Sequence, residues 1–250
     1  MKAARRGFAA GLWLLPMLLH PAGARADVPL IADSSQPLVK ISAGFVGTDV
    51  LVFGAKEGPG DVVIVVRGPV ADYGVRRKQR VAGVWLNADR VDFQGVPSFY
   101  AVASSRPLDK VMTSAARSRE GVGIDQLKLV PAEPVDAAEA EAFTAALIRI
   151  KQNTGLFGHE VEPVRVLADR LFRAEIHLPS NVPTGKYDVE VMLVRSDDLI
   201  AQTVYLEVNK SGFGADVYDF AHKQSAAYGL IAIFGALLAG WAAHLVFRKI

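Results

Sequence analysis

The chain has 250 residues, no cysteine and a formal net charge of +2. Of its 28 basic residues, four lie among the first 26 positions, which hold no acidic residue, so the remainder carries 24 basic against 26 acidic residues. This near balance excludes the strongly basic surface of a nucleic-acid-binding protein, and the absence of cysteine excludes disulfides, thiolate metal sites and cysteine nucleophiles.

The first 26 residues have the pattern of a secretory signal peptide. A basic start is followed by a short apolar stretch, Phe8–Leu19, and by a small-x-small cleavage pattern at Ala24–Ala26. The 12 residues of the apolar stretch are too few to span a bilayer. We therefore expect residues 1–26 to be removed and the mature chain to begin at Asp27, with an uncleaved anchor as the alternative.

A first β-rich stretch follows in residues 39–103. Short β-branched runs such as Asp49–Phe53 and Asp61–Arg67 are bounded by glycine and proline. Further runs follow at a spacing of about ten residues, which is typical of a β-sandwich.

The pattern becomes helical between residues 106 and 160. Asp136 is placed to cap a helix from Ala137 to Gln152, and Ala140, Phe143, Leu147 and Ile150 share one face of it. We interpret residues 106–160 as a helical insertion in the β-rich chain.

Alternation of apolar and polar residues returns after this insertion. It runs through Phe172–Leu178, Tyr187–Leu193 and Ile200–Val208. It predicts antiparallel strands with one buried and one solvent-exposed face. We expect residues 27–212 to form a mainly β exported domain, namely one immunoglobulin-like β-sandwich built from both β-rich stretches. Two separate small β-domains are the alternative.

The C-terminal part predicts a membrane anchor. Residues 213–225 form an amphipathic pre-membrane segment, and residues 226–247 contain no charged side chain. A 22-residue helix rises about 33 Å, which is enough to cross the hydrocarbon layer of a bilayer. Because basic residues at 248 and 249 follow at once, we expect residues 248–250 to be a cytoplasmic tail. The protein is then a single-pass membrane protein with its β-domain on the exported side.

Five stretches of the chain carry a family likeness, and they cover most of the mature chain in order. They are Val62–Pro69, Val75–Asn87, Val96–Pro107, Leu171–Tyr187 and Tyr218–Trp241. On these residues the chain resembles a family of transmembrane proteins, mostly from alphaproteobacteria, that has no assigned activity. The resemblance implies a signal peptide, an exported β-rich domain and one C-terminal span, and it supplies no catalytic residues. With a bacterial source, the expected location is the inner membrane, with the β-domain in the periplasm and the C-terminus in the cytoplasm. It also implies an association with permease-like anion exporters of the sulfite-exporter type, whose genes neighbour those of the family.

The densest charge run is a candidate patch for an anion or a partner. It consists of Arg76, Arg77, Lys78 and Arg80. Four cations in five residues suit lipid headgroups, an anionic ligand or an acidic partner. We favour a simpler interpretation, in which this run belongs to an exposed hairpin or edge strand. Charged side chains are common on such strands because they prevent pairing with other chains.

A second candidate surface lies within the predicted span. Small residues recur there every four positions in two rows, and such rows let helices approach closely. We expect this face to pack against a second copy or a multi-spanning permease, with a merely alanine- and glycine-rich helix as the alternative. The residues are Ala232, Gly235, Ala236, Ala239, Gly240 and Ala243.

Catalytic, cofactor and metal sites are not predicted. Gly158–Glu162 holds one histidine and two carboxylates but matches no established metal motif. Ser104 and Ser105 lack the glycine elbow of a serine hydrolase, and His177 falls on the wet face of its strand.

These observations lead to a functional expectation. We expect a non-enzymatic accessory or interaction subunit, with an anion transporter as a candidate partner, membrane lipid around its span and no cofactor. One alternative is a ligand-binding or sensor module for a small anion that uses the Arg76–Arg80 run. A third is a hydrolase that uses Ser104 or His159.

Overall fold

A computed structural model describes residues 29–81, 83–196 and 198–248, so the predicted signal peptide lies outside the described residues. The strands are β1 Leu30–Ser34, β2 Leu38–Ile41, β3 Gly47–Lys56, β4 Asp61–Arg67, β5 Val70–Val81, β6 Val84–Pro97, β7 Tyr100–Ser104, β8 Val130–Pro131, β9 Glu162–Pro163, β10 Arg165–Leu167, β11 Leu171–Pro179, β12 Gly185–Val194 and β13 Leu199–Lys210. The helices are α1 Leu108–Val111, α2 Ser114–Glu120, α3 Ala137–Asn153, α4 Phe213–Lys223 and α5 Ser225–Phe247, with a 3-10 turn at Ile124–Gln126.

Two sheets share one hydrophobic core. The four-stranded sheet has the order β1-β3-β11-β10 and the six-stranded sheet the order β2-β13-β12-β4-β7-β9. Neighbouring strands are antiparallel, except that β2 runs parallel to β13 and β9 parallel to β7. Strand β11 shows the predicted alternation, because Phe172, Ala174, Ile176 and Leu178 are buried while the residues between them are exposed.

Strands from both β-rich stretches lie next to each other. Strand β3 pairs with β11, and β4 pairs with β12, so the two stretches build the same two sheets. The prediction of a mainly β protein with a C-terminal apolar helix is confirmed. The immunoglobulin-like detail stays a prediction.

Strand β4 is buried on both faces. Val62, Ile64 and Val66 point into the core between the sheets, whereas Val63 and Val65 belong to a second apolar cluster on the other side of the six-stranded sheet. Leu108 of α1 and Phe143 and Leu147 of α3 are buried in that second cluster, and Ala116 of α2 packs against it. This double burial explains why β4 is a continuous apolar run rather than an alternating one.

Two side chains from the six-stranded sheet fix the helical segment onto it. The hydroxyl of Tyr100 donates to the Gly121 carbonyl at 2.8 Å and accepts from the Gly123 amide at 2.9 Å. The guanidinium of Arg67 donates to the Glu120 carbonyl at 2.6 Å. The turn that ends α2 is therefore held by polar contacts as well as by packing.

Helix α3 begins where the sequence predicts. The Asp136 carboxylate accepts from the Ala138 amide at 3.1 Å and caps the helix. Ile150 lies at the exposed edge of the predicted apolar face, because its side chain is 49% exposed. Lys151 takes the buried position after Phe143 and Leu147, at a spacing of four residues.

Strands β5 and β6 form a long hairpin that we call the ribbon, residues 70–97. It continues the β4–β7 ladder, since the Gly68 amide donates to the Phe99 carbonyl and the Ser98 amide donates to the Pro69 carbonyl. Strand β8 adds a third strand beside β6. The part of the ribbon nearest the sandwich buries Val75, Val91, Phe93 and Val96 in the second apolar cluster.

The chain leaves the sandwich through β13 and continues as two helices. Helices α4 and α5 are separated at Gln224 and contact each other through Phe220 and Tyr228, whose rings are 6.2 Å apart. Within the described ranges, one helix is long and apolar enough to cross a membrane. Its apolar part is Ser225–Leu245, which has a mean hydropathy of 1.8, and none of the residues in its most apolar stretch is buried inside the protein.

Candidate functional site

A cleft opens at the end of the sandwich farthest along β13 from the membrane helix. Strand β13 begins at Leu199 near this cleft and ends at Lys210, two residues before α4. The cleft has a volume of about 670 Å³, and its walls come from the β3–β4 turn, the β7–α1 segment and the β12–β13 loop. We call it the distal cleft. Its polar lining residues are Asp61, Arg106, Lys110, Arg195, Ser196 and Asp198.

Asp61 and Arg106 form a paired contact on one wall. The Arg106 Nε donates to one Asp61 oxygen at 2.8 Å, and an Nη donates to the other. The Ser105 hydroxyl donates to Asp61 at 3.0 Å and accepts from the Val62 amide. The hydrogen bond from Arg106 is the main cause that lowers the pKa of Asp61. Asp61 is therefore a carboxylate at neutral pH and holds the Arg106 side chain in place.

Arg195 ties the β12–β13 loop to the β3–β4 turn. Its guanidinium donates to the Glu57 carbonyl at 2.5 Å and to the Pro59 carbonyl at 3.2 Å. The neighbouring Gly60 has a φ of +143°, and an added Cβ would lie 2.8 Å from the Leu193 side chain. Two walls of the cleft are thus held together by a side chain and a close backbone approach.

The chemistry of the lining favours binding of a polar or anionic group. Among the lining residues that the structure describes, Arg106, Lys110 and Arg195 are positive, and Asp61 and Asp198 are negative. The side chain of Lys110 is 71% exposed, and the nearest described carboxylate, that of Asp109, is 3.9 Å away, so Lys110 is the most available of these cations. Charged groups of both signs suit a ligand that carries an anionic group beside hydrogen-bond donors.

The basic run predicted as a candidate site lies elsewhere, within strand β5 of the hairpin. Arg77 packs its guanidinium 4.7 Å from the centre of the Phe143 ring and lies 3.7 Å from an Asp89 oxygen. Arg76 and Lys78 are exposed and form no ion pair with any side chain that the structure describes. Arg80 is also exposed, and its Nε lies 3.4 Å from the Gly83 carbonyl.

The predicted packing face of the span lies entirely on α5. All six residues are exposed, and an added Cβ at Gly235 or Gly240 would meet no atom within 4 Å. This face is therefore free of contacts from the chain's own described residues. Its members are Ala232, Gly235, Ala236, Ala239, Gly240 and Ala243.

The remaining sequence candidates have separate contacts. The Ser104 hydroxyl donates to the Arg106 carbonyl at 2.6 Å, whereas His159 Nε2 lies 3.1 Å from the Gln152 carbonyl oxygen. His177 Nδ1 lies 2.7 Å from an Asp49 oxygen on the outer face of the four-stranded sheet. Across residues 29–81, 83–196 and 198–248, no group of three histidine or acidic side chains is placed to hold a metal ion.

Comparison with known families gives one match. A profile of the family described as "Putative transmembrane protein (Alph_Pro_TM)" matches residues 29–249. The chain belongs to this family. Searches of curated proteins and of solved structures each found no match. Membership confirms the resemblance noted from the sequence and supports a membrane location through one C-terminal apolar helix, and it assigns no activity.

The cleft itself was missed by sequence reasoning. Asp61, Arg106 and Arg195 are far apart in the chain; Asp61 is the first residue of β4, whereas Arg106 and Arg195 follow β7 and β12. They converge because β4 lies between β7 and β12 in the six-stranded sheet. Polar residues at strand ends were the available signal, but only the strand order shows that these ends meet.

Proposed function

We propose that this family member is a non-enzymatic accessory or interaction subunit of the bacterial inner membrane, displayed on the periplasmic side. The observation that carries the proposal is the position of the distal cleft, at the opposite end of β13 from the membrane helix. A recognition site in that position faces away from the bilayer and is open to a partner or ligand.

The proposed orientation follows from the two ends of the chain. The signal-peptide pattern of residues 1–26 directs export of the domain that follows. The basic residues 248 and 249, directly after α5, favour a cytoplasmic C-terminus. Both features support a periplasmic β-domain anchored by a single span.

We further propose that the sandwich is immunoglobulin-like. The order β1-β3-β11-β10 opposite β2-β13-β12-β4-β7 corresponds to the A-B-E-D and G-F-C arrangement of that fold, with β2 and β7 added on either side of G-F-C. The buried Tyr187 near the start of β12 donates its hydroxyl to the Pro183 carbonyl, as in a tyrosine corner. The loops around the distal cleft then occupy the B–C and F–G positions, which form the binding end of variable domains.

The proposed partner is a multi-spanning permease, with an anion transporter as the candidate class. Small residues in two rows on α5 support close helix packing, and a shared membrane raises the local concentration of the partner. The span and the cleft would then contact different parts of one transporter complex.

Affinity purification of the full-length protein in mild detergent, followed by mass spectrometry, tests this proposal. One variant replaces α5 with an unrelated span, and a second blocks the cleft through Lys110→Glu and Ser196→Trp, both at exposed positions. The matched control is Arg165→Glu with Arg173→Glu on the outer face of the four-stranded sheet. We expect a permease to co-purify with the natural chain and the control, and to be reduced by both other variants. Recovery of the protein without any membrane partner would contradict the proposal.

A second candidate is a sensor for a small anion, favoured by the three cations of the cleft. Titration of the full-length protein with sulfate, phosphate and small carboxylates, monitored by calorimetry, tests it. Binding that disappears in Lys110→Glu but persists in the Arg165→Glu and Arg173→Glu control would support the sensor. Anion binding equal in both variants would assign the anions to non-specific surface contacts.

A further inference from the structure

The ribbon leaves the sandwich at the end that carries the membrane anchor. Arg67, the last residue of β4, pairs with Asp188, and nearby Gly185 pairs with Val208 of β13. Strand β13 ends at Lys210, and α4 follows after two residues. The base of the ribbon and the start of the anchor are therefore neighbours at one end of the six-stranded sheet.

The ribbon extends from this end as a direct continuation of paired strands. The register of Arg67 with Tyr100 continues through the bonds at Gly68 and Ser98 to the pairing of Val70 with Pro97. Strand β5 has 12 residues, which correspond to about 40 Å of extended chain. Irregularities in the pairing between Ala71 and Tyr73 and between Arg76 and Lys78 bend the ribbon along its length.

Helix α3 stiffens the first half of the ribbon. The Lys151 ammonium lies 3.3 Å from the centre of the Tyr73 ring, and the Arg77 guanidinium lies 4.7 Å from that of Phe143. The eight steps from Phe143 to Lys151 in α3 rise about 12 Å, and the four steps from Tyr73 to Arg77 in β5 span about 13 Å. The two elements therefore run side by side in opposite directions, and the part of β5 beyond Arg77 extends past this contact.

The outer part of the ribbon combines an apolar tip with cations. Residues 81–86 read Val-Ala-Gly-Val-Trp-Leu, and Val84 is 60% exposed. The exposed Arg76, Lys78 and Arg80 precede this tip. Tryptophan is enriched at membrane–water interfaces, and lysine and arginine beside an apolar surface are attracted to anionic headgroups. This composition suits a lipid surface better than a soluble partner.

We propose that the ribbon tip docks on the surface of the same membrane that α5 spans. The exposed Val84 side chain enters the boundary between headgroups and acyl chains, and Arg76, Lys78 and Arg80 contact anionic headgroups. The chain then touches the bilayer at two places, α5 and the ribbon tip, and the sandwich is held in one orientation. The inference does not depend on the accessory role or on the identity of any partner.

The absence of cysteine from the chain gives a direct test. A spin label is placed on Val84→Cys in the full-length protein, which is reconstituted in vesicles of phosphatidylcholine alone or with added phosphatidylglycerol. The control label is on Lys110→Cys, at the other end of the sandwich. We expect the Val84 label to be accessible to oxygen and protected from an aqueous nickel complex in the anionic vesicles, more weakly so in the neutral ones. The Lys110 label should remain exposed to the aqueous reagent in both.

A second arm tests the cations. Arg76→Glu with Lys78→Glu should return the Val84 label to water, whereas the equal charge change Arg165→Glu with Arg173→Glu should leave it in the membrane. The comparison between neutral and anionic vesicles uses the protein with Arg76 and Lys78 unchanged. It therefore still tests the proposal if the Arg76→Glu and Lys78→Glu variant fails to fold. An aqueous Val84 label in both lipid compositions would overturn the proposal. So would a photo-crosslinker at position 84 that captures a protein instead of lipid in native membranes.

Discussion

Replacing Lys151 with methionine would remove a buried charge from the interface between α3 and the ribbon. Lys151 is 3% exposed, and its ammonium has no hydrogen-bond partner among the residues that the structure describes. Its neighbours are the rings of Tyr73 at 3.3 Å and Phe157 at 5.8 Å. Burial in this apolar site lowers the pKa of Lys151 from 10.5 to about 8.

The sign of the pH effect follows from this lowered pKa. Between about pH 8 and 10.5 the unfolded chain keeps the proton and the folded chain releases it, so the free energy of unfolding rises with pH. Burial disfavours the charged form by about 3 kcal/mol, and attraction to the Tyr73 ring offsets about 2 kcal/mol at most. The cost of burial is therefore larger than the attraction to the ring. We expect the free energy of unfolding to rise by about 1–2 kcal/mol between about pH 7.5 and 9.5.

Thermal unfolding of the full-length protein in detergent, followed by circular dichroism, measures this effect. For a chain of this size, 1 kcal/mol shifts Tm by about 2–4 °C. The Tm of the natural chain should rise from about pH 7.5 to 9.5. The Tm of Lys151→Met should already be higher at the start of this range and should not change across it. The control Arg149→Met removes an exposed charge from the same helix and should follow the natural chain. A Lys151→Met chain with the natural pH slope, or a lower Tm at neutral pH, would refute the reasoning.

Three further substitutions test the sandwich through chemical denaturation of the same full-length protein. Tyr187→Phe loses a buried hydroxyl bond to a main-chain carbonyl and should lower the free energy of unfolding by about 1–3 kcal/mol, whereas Tyr205→Phe at an exposed ring should be neutral. Gln202→Leu removes the amide that pairs with both the N–H and the C=O of Ala32 on the open edge of β1, and we expect a loss of about 1–3 kcal/mol. Gly54→Ala would place a methyl group 2.9 Å or less from the backbone of β1, so a loss of about 3 kcal/mol is expected; an unchanged midpoint would show that β1 is not held there.

The elements themselves were largely predictable from local sequence. Alternation identified β11 and β12 because each has one face in the core between the sheets. The helix predicted from Ala137 to Gln152 is observed as Ala137–Asn153, since the Asp136 cap defines its start. The charge-free apolar stretch of residues 226–247 is enough to identify the membrane helix by length and composition.

Contacts between distant residues were not predictable in this way. Periodicity favours Ile150 over Lys151 for the buried face of α3, because it assumes that the apolar residue faces the core. In the structure Lys151 is the buried residue instead, and its ammonium lies against the Tyr73 ring of the ribbon. The distal cleft likewise depends on strand order, which a single sequence does not encode locally.

The short link between β13 and α4 limits how far the end of β13 can lie from α4. Only Ser211 and Gly212 separate the two elements, and two residues reach at most about 7 Å. The 12 residues of β13 then carry the distal cleft up to about 40 Å farther from α4. A diffusing ligand can reach a cleft at any height. The membrane-embedded partner proposed above, in contrast, could contact this cleft only through an exported part that is about equally tall, so the length of one strand limits which partners fit the proposal.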